Sequence, residues 1–368
     1  MKVHIWMNFK SHHQNGLFNS LLRQGVDLRV TYYEQVTQHR IALGWSTEKA
    51  SGDWECALAE LGISARQRLL DLRDYIHIIP GYSTKTLREL AITASSHGIS
   101  WCHWSECSRP GLRRWLRYPT KKWYARLLNR HGLGAFAQGV LARLDFMRWG
   151  ISPDKIADLT YSVLPPRTDI EPDPRIVEFA AGRGVFLFLG QMNRRKAIDV
   201  QLRAFAKLDT DSWCLVMVGS GDTAKYQAMA KQWSLSGKVL FLPAVNWDQV
   251  GSVHKAADVL MLPSRYDGWG VVASEAVAQA KALIMSTSCG AAWHLVQPGI
   301  NGFLVKPGSV DSLASALRYY VAGGRALALS HGKQSAEINR DYSCDASAAR
   351  MINALHSWSC ADQNQVPS

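Results

Sequence analysis

No stretch of the 368 residues approaches the ~18–20 consecutive apolar residues that a spanning helix needs. The opening Met1-Lys2-Val3-His4-Ile5-Trp6-Met7 lacks the long apolar segment and small-residue cleavage site of a secretory signal. A cytoplasmic protein is expected. Cys-x-x-Cys pairs are missing too. The seven cysteines, Cys56, Cys102, Cys107, Cys214, Cys289, Cys344 and Cys360, are odd in number and scattered. That argues against a disulfide framework or a cysteine zinc site and fits free thiols in a reducing compartment. Internal repeats and low-complexity tracts are absent. Acidic residues are absent from one long interval, Cys107 to Leu144.

What is present describes a folded protein of two domains. Hydrophobic residues make up 47 % and charged residues 20 %, the balance of a globular chain. The length suits two cores better than one. The net charge of +12 is lopsided: residues 1–168 carry 23 Lys/Arg against 13 Asp/Glu, the remainder 19 against 17. A basic first half implies an acidic counterpart, whether nucleic acid, an anionic membrane or a phosphate-bearing substrate.

The order of elements points to α/β architecture. In the first half a strand over 2–7 precedes a polar loop, Asn8 to Gly16, a helix over 17–24 and a strand over 27–33. Later come a strand over 75–79, a helix over 83–96 capped near Gly98, and a strand over 99–104. Four prolines between Leu164 and Pro174 mark a connector. The second half alternates strands (185–189, 213–218, 239–241, 259–262, 282–286, 302–305) with helices (198–208, 223–233, 247–256, 272–280). The apolar run Val185–Leu189 reads as a strand buried on both faces. Such doubly wound sheets bind ligands at the carboxyl ends of their strands.

Glycines and cations gather at those ends. Gly190-Gln191-Met192-Asn193-Arg194-Arg195-Lys196 follows the first strand of the second half, a turn and three cations before a helix. Cations at a helix start suit phosphate oxygens. Gly219-Ser220-Gly221-Asp222 follows the next strand and also fits ordinary turn chemistry. In Leu262-Pro263-Ser264-Arg265-Tyr266-Asp267-Gly268-Trp269-Gly270-Val271-Val272-Ala273-Ser274-Glu275, a strand gives way to a helix near Gly270. The glycines allow amides to face a ligand at the helix N-terminus. Asp267 lies before that helix and Glu275 inside it, so the two carboxylates reach different parts of one ligand.

This last run resembles the E-x7-E motif of the retaining glycosyltransferases of family 4, with Asp267 and Glu275 at the two acidic positions. Phe188–Gln191 through Lys196–Asp199, Val216–Gly221 and Pro298–Val305 resemble other segments of that family, and Trp149–Ile156 is similar to the end of its first domain. The resemblance implies the GT-B fold, with two Rossmann-like doubly wound domains facing a central cleft. The division expected is an acceptor domain over 1–168, a nucleotide-sugar domain over 169–343, a helix over 344–361 packing back on the first domain, and a frayed tail over 362–368. It implies that Lys196 contacts the donor diphosphate, Asp267 the sugar hydroxyls and Glu275 the ribose. Gly190, Arg195, Gly219, Gly221, Gly268, Trp269, Gly270 and Val271 complete the donor site, with the amides from Gly268 to Val271 on the distal phosphate. Three positions depart from the family's pattern: Gln191 and His294 replace an usual Arg and Glu, and Asp267 replaces a Glu. Arg194 or Arg195 is available in place of the missing cation. The implied reaction is transfer of a sugar from a nucleoside-diphosphate donor to a glycan or polyprenyl-linked acceptor, in exopolysaccharide, capsule or lipopolysaccharide assembly. No metal or other cofactor is implied. The string Asp209-Thr210-Asp211 precedes a strand and reads as a connecting loop.

Three features of the first half complete the analysis. His103 ends a strand and is a candidate cleft-facing catalytic residue; a structural histidine is the plainer alternative. His12, His13 and Gly16, in the loop after the first strand, are candidates for acceptor binding. The interval 107–144 holds Arg109, Arg113, Arg114, Arg117, Lys121, Lys122, Arg126, Arg130 and Arg143 beside Trp115, Tyr118, Trp123 and Tyr124. Cations mixed with Trp and Tyr suit an anionic bilayer surface, which makes a peripheral seat on the inner membrane face the expectation. A solvated face is the plainer alternative. A basic nucleic-acid-binding protein or an inactive relative of the transferases are the rivals to the main reading. The first leaves Asp267 and Glu275 unexplained.

Overall fold

A computed structural model describes residues 1–34, 52–111, 116–164 and 169–363. The prolines Pro165 and Pro166 of the expected connector, and Arg113, Arg114 and Trp115, lie outside the described residues. The chain divides into two compact units, Met1–Ser162 together with the segment from Cys344 onward, and Val163–Ser343.

The first unit is built on a seven-stranded parallel sheet. Its strands are β1 (Lys2–Met7), β2 (Asp27–Tyr32), β3 (Glu55–Ala57), β4 (Ile76–Ile79), β5 (Trp101–Ser105), β6 (Gly134–Ala137) and β7 (Ile156–Asp158), in the order β3-β2-β1-β4-β5-β6-β7. The reversal between β1 and β4 is the switch of a doubly wound sheet. Apolar layers cover both faces. One joins Val3, Ile5, Phe18, Leu21 and Leu28 to Met351, Leu355 and Trp358 of the helix Cys344–Gln363. The other surrounds Trp6, Trp101, Tyr124, Phe146 and Trp149. The terminal helix is seated by apolar burial and by Arg23 with Asp345 at 2.6 Å. Gly134 makes room for it, because a Cβ there would lie 2.5 Å from the Trp358 ring.

The helix after β1 begins at His12, not Leu17, and runs to Arg23. His-His-Gln-Asn offers no apolar periodicity, so sequence pattern reads it as loop. Burial of Leu17, Phe18 and Leu21 one face away extends the helix backward through it.

The second unit carries six parallel strands: β8 (Gly184–Leu189), β9 (Trp213–Val218), β10 (Val239–Leu242), β11 (Val259–Leu262), β12 (Ala282–Ser286) and β13 (Gly302–Val305). Their order, β10-β9-β8-β11-β12-β13, switches between β8 and β11. Five of the six are buried almost throughout or at both ends, as parallel strands covered on both sides require. The exception is β10, a half-buried edge strand. The helical stretch Val310–Asn339 crosses this sheet and breaks at Gly324, whose φ of 66° and ψ of −173° no helix accommodates. Among the described residues no helix is long and apolar enough to cross a membrane.

Candidate functional site

The switch between β8 and β11 brings two loops side by side. After β8, Gly190 turns with φ of 142°. Asn193 then caps a short 3-10 turn, its Oδ1 accepting from the Lys196 amide at 3.1 Å, while its Nδ2 donates to Gln191 Oε1 at 2.9 Å. Ala197 adopts the left-handed conformation at φ of 58°, and the helix Ile198–Ala206 begins. This path turns Lys196 inward, where it is 8 % exposed.

The loop after β11 meets it. Lys196 Nζ donates to Asp267 Oδ2, and Arg195 lies 3.3 Å from Oδ1 of the same carboxylate. Asp267 is therefore held between two cations. Arg195 also reaches the Tyr266 carbonyl at 3.3 Å, whereas the Arg194 side chain is exposed. Of the two arginines offered as a replacement for the cation lost at Gln191, Arg195 is the one beside Lys196. A further fork ties the loops: Arg265 grips Asp199 with two bonds of 2.8 and 2.7 Å, and bonds the Arg194 carbonyl at 2.8 Å. The Arg265 guanidinium holds the Asp199 carboxyl below its usual range. Sequence reasoning missed this pair, since 66 residues separate its members and nothing in either segment points to the other.

Glycines set how closely the backbones approach. A Cβ on Gly219 (φ 152°) would sit 1.8 Å from the Gly190 carbonyl oxygen, and one on Gly221 (φ 132°) 2.3 Å from that of Met192. Met192 and Gly221 form a parallel bridge there. These two glycines thus serve loop-on-loop packing in addition to any ligand. Gly270 is the N-cap of the helix Val271–Ala278 at φ of 92°, where a Cβ would meet Leu262 and Cys289 at 2.6 and 2.8 Å. Gly268 lies beneath Gly290. The Trp269 indole is fully buried and donates to Ser274 Oγ at 3.0 Å. Trp269 is thus an anchor that shapes the loop, and its ring is not a ligand-facing surface. The Val271 and Val272 amides open the helix, where no carbonyl of the preceding turn can accept from them, and the Ala273 amide donates to the Gly270 carbonyl at 2.8 Å. Glu275, one turn along, keeps a side chain 20 % exposed, with Oε2 3.8 Å from His254 Nε2. The His294 ring lies 5.4 Å from the Trp269 ring, tilted at 41°. Asp209-Thr210-Asp211 lies before β9, at the amino end of the sheet, with Asp211 paired to Lys238 at 2.7 Å.

The first unit's candidates are arranged differently. His103 does not open outward from its strand end. It is fully buried, with Nδ1 3.2 Å from the Tyr124 hydroxyl, Nε2 2.8 Å from Ser105 Oγ, and Phe146 and Trp149 against its ring. Burial pushes its pKa down to about 3, so the imidazole is neutral. This is the structural histidine that was the alternative reading. His13 and Gly16 stand in the first turns of the helix His12–Arg23, His13 half-buried and Gly16 buried, and the His12 side chain lies outside the described residues. Within 107–144, Lys121 and Tyr124 turn into the core. Lys121 Nζ lies 2.5 Å from Ser108 Oγ and 3.9 Å from the buried Asp145, and 4.9 Å over the Trp149 ring. Arg143 pairs with Asp158 at 2.9 Å. What remains outward on and beside the helix Tyr118–His131 is Arg109, Arg117, Lys122, Trp123, Arg126 and Arg130, with Leu116 73 % exposed.

Residues 169–335 match the family model "Glycosyl transferases group 1". The match lies wholly within the second unit and covers less than half of the chain. An uncharacterised glycosyltransferase of Methanocaldococcus jannaschii is 32 % identical over 173 residues, 46 % of this chain and 44 % of that protein. The lipopolysaccharide 1,6-galactosyltransferase of Salmonella typhimurium is 26 % identical over 194 residues, 51 % of this chain and 52 % of that enzyme. The matched stretch spans about half the length of these curated relatives. The fold likeness reaches further. Anabaena HepE, solved in complex with UDP, superposes with a TM-score of 0.73 at 15 % identity, covering 97 % of this chain and all of that one. The lipopolysaccharide outer core galactosyltransferase WaaB gives 0.71 at 17 % identity, covering 97 % and 99 %. The two Rossmann-like sheets are those of the GT-B fold, and the Lys196–Asp267 cluster lies within the stretch that matches the group 1 model.

Proposed function

We propose that this group 1 glycosyltransferase is a retaining, metal-independent enzyme. It transfers a sugar from a nucleoside diphosphate to a glycan or lipid-linked acceptor in cell-surface polysaccharide assembly. The observation that carries the reading is the pair of cations, Lys196 and Arg195, meeting on Asp267 beside the glycine-walled start of the helix Val271–Ala278. Two cations and a helix N-terminus form a seat for a diphosphate. Glu275 on the same helix accepts from ribose hydroxyls, and Asp267 from hydroxyls of the donor sugar.

As the bond from the anomeric carbon to the diphosphate breaks, negative charge grows on the leaving oxygen. Lys196 and Arg195 are positioned to stabilise it, in a site that needs no reorganisation for the purpose. The acceptor hydroxyl attacks from the same face and its proton passes to the leaving phosphate, so no protein base is required. Arg195 fills the role that Gln191 leaves open. The anionic diphosphate replaces Asp267 as the partner of the two cations, which frees that carboxylate for the sugar.

The exposed cations and Trp123 of the helix Tyr118–His131 support a seat on an anionic membrane at the cytoplasmic side. Flotation with anionic liposomes and none with neutral ones is the expected result; equal binding to both removes this part. The donor site is tested by thermal shift against UDP, GDP, ADP, CMP and dTDP without metal. One nucleotide is expected to raise Tm, and Glu275→Ala to abolish the rise. No rise with any of them removes the reading.

A further inference from the structure

His254 occupies the last turn of the helix Val250–Lys255, just before β11, and is fully buried. Neither Nδ1 nor Nε2 has a hydrogen-bond partner among the described residues. The other buried histidines among the described residues are bonded: His4 to Thr31 at 2.8 Å, His77 to the Leu72 carbonyl at 3.0 Å, His103 to Ser105 at 2.8 Å and His331 to the Tyr320 hydroxyl at 2.9 Å. Leaving a buried imidazole without a partner is destabilising, so its retention calls for a cause.

Its Nε2 is 3.8 Å from Oε2 of Glu275, just outside hydrogen-bond reach of about 3.2 Å. The backbone is arranged to bring these two helices together. Gly251 lies one turn before His254, and a Cβ there would come 3.3 Å from Gln279 Nε2, at the end of the Glu275 helix, and 2.9 Å from Ile170. The imidazole supplies one directional N–H toward that carboxylate.

We propose that His254 is a positioning residue for Glu275. On donor binding, its Nε2–H donates to Glu275 Oε2, and the carboxylate turns its other oxygen to the ribose hydroxyls. A bond made to a carboxylate that also meets the donor gives this buried imidazole a use that no protein group nearby supplies. The inference rests on the ribose role of Glu275 given above.

The test measures Kd by calorimetry for UDP, GDP and ADP, and for the 2′,3′-dideoxy form of whichever binds, with wild type, His254→Phe, His254→Gln and Glu275→Ala. His254→Phe is expected to weaken the ribonucleotide about tenfold and to leave the dideoxy analogue unchanged. His254→Gln, which keeps an N–H donor, is expected to restore most of the loss. Wild-type affinity in His254→Phe overturns the proposal, as does equal weakening of both ligands. If Glu275→Ala weakens neither form, or wild type binds no nucleotide, the donor-site reading itself fails, and this proposal with it. Should His254→Phe not fold, 15N-histidine spectra of wild type decide. A buried imidazole Nε2–H resonance is expected to move on adding the ribonucleotide and not the dideoxy form, and no movement overturns the proposal.

Discussion

The two sheets place polar side chains at comparable depths and treat them in opposite ways. In the first unit His4, Trp6, Thr31 and His77 form one closed set. His77 Nε2–H donates to the Leu72 carbonyl, which leaves its Nδ1 to accept from the Trp6 indole at 3.2 Å and from His4 at 3.0 Å; His4 Nε2 then accepts from Thr31 at 2.8 Å. The chain assigns one tautomer to each ring. Burial pushes His77 down to about 4 and His103 to about 3. In the second unit Lys196 and Arg195 meet on Asp267 across two loops, over backbone that only glycine permits, and Glu275 keeps partial exposure on the helix that follows. Both sets involve residues at or near strand ends, so position alone does not mark a site. A charge that is paired but still reachable does.

The sharpest way to break that contrast is to disable one residue from each unit. Lys196→Ala is expected to lower kcat/KM for sugar transfer by about 10²–10³-fold with Tm little changed, whereas His103→Gln is expected to leave the transfer rate near wild type. A comparable rate loss in a folded His103→Gln would put catalysis in the first unit. Next is the backbone. Gly219→Ala would force a Cβ to 1.8 Å from the Gly190 carbonyl and is expected to cost about 2–4 kcal/mol in urea unfolding. Gly150→Ala, with φ of 98° but open space around it, is expected to cost about 1 kcal/mol from conformation alone.

Acid is a finer probe. His77 and His103 are neutral when folded and take up protons near pH 6.5 when unfolded. The unfolded chain binds more protons below that pH, so the stability these residues contribute is complete above 6.5 and is lost as pH falls toward 4 and 3. Each contributes a slope of about 1.4 kcal/mol per pH unit in that window. His103→Gln is expected to remove one proton's worth of slope from urea midpoints measured between pH 4.5 and 6.5. The smallest effect is expected at the surface: the Arg23–Asp345 bond of 2.6 Å joins side chains 62 % and 67 % exposed, and Asp345→Ala should cost under about 1 kcal/mol. A larger loss would show that the terminal helix leans on this pair, not on the apolar seat of Trp358 and Met351.

The fold was legible where local pattern and burial agree. Val185–Leu189, Trp213–Val218 and Ala282–Ser286 are apolar because both faces of their sheet are covered, so their composition announces them. The start of the helix at His12 was not legible, because its first four residues take their conformation from the packing of Leu17, Phe18 and Leu21 further along. Lys121 shows the same limit. It reads as one cation in a basic run, yet the structure seats it between Ser108, Asp145 and Trp149.

The sequence by itself determined the strand grammar, the glycines at strand ends, and the spacing of Lys196, Asp267 and Glu275, since these follow from backbone sterics and from periods of a few residues. Tertiary structure alone decided which charges meet. Arg195 over Arg194 on Asp267, Arg265 on Asp199 and His254 beside Glu275 each join loops or helices brought together by the parallel sheet. Exposure was decided there as well, because the desolvation that separates a core histidine from a reachable one depends on every element packed around it, and no local stretch of chain encodes that.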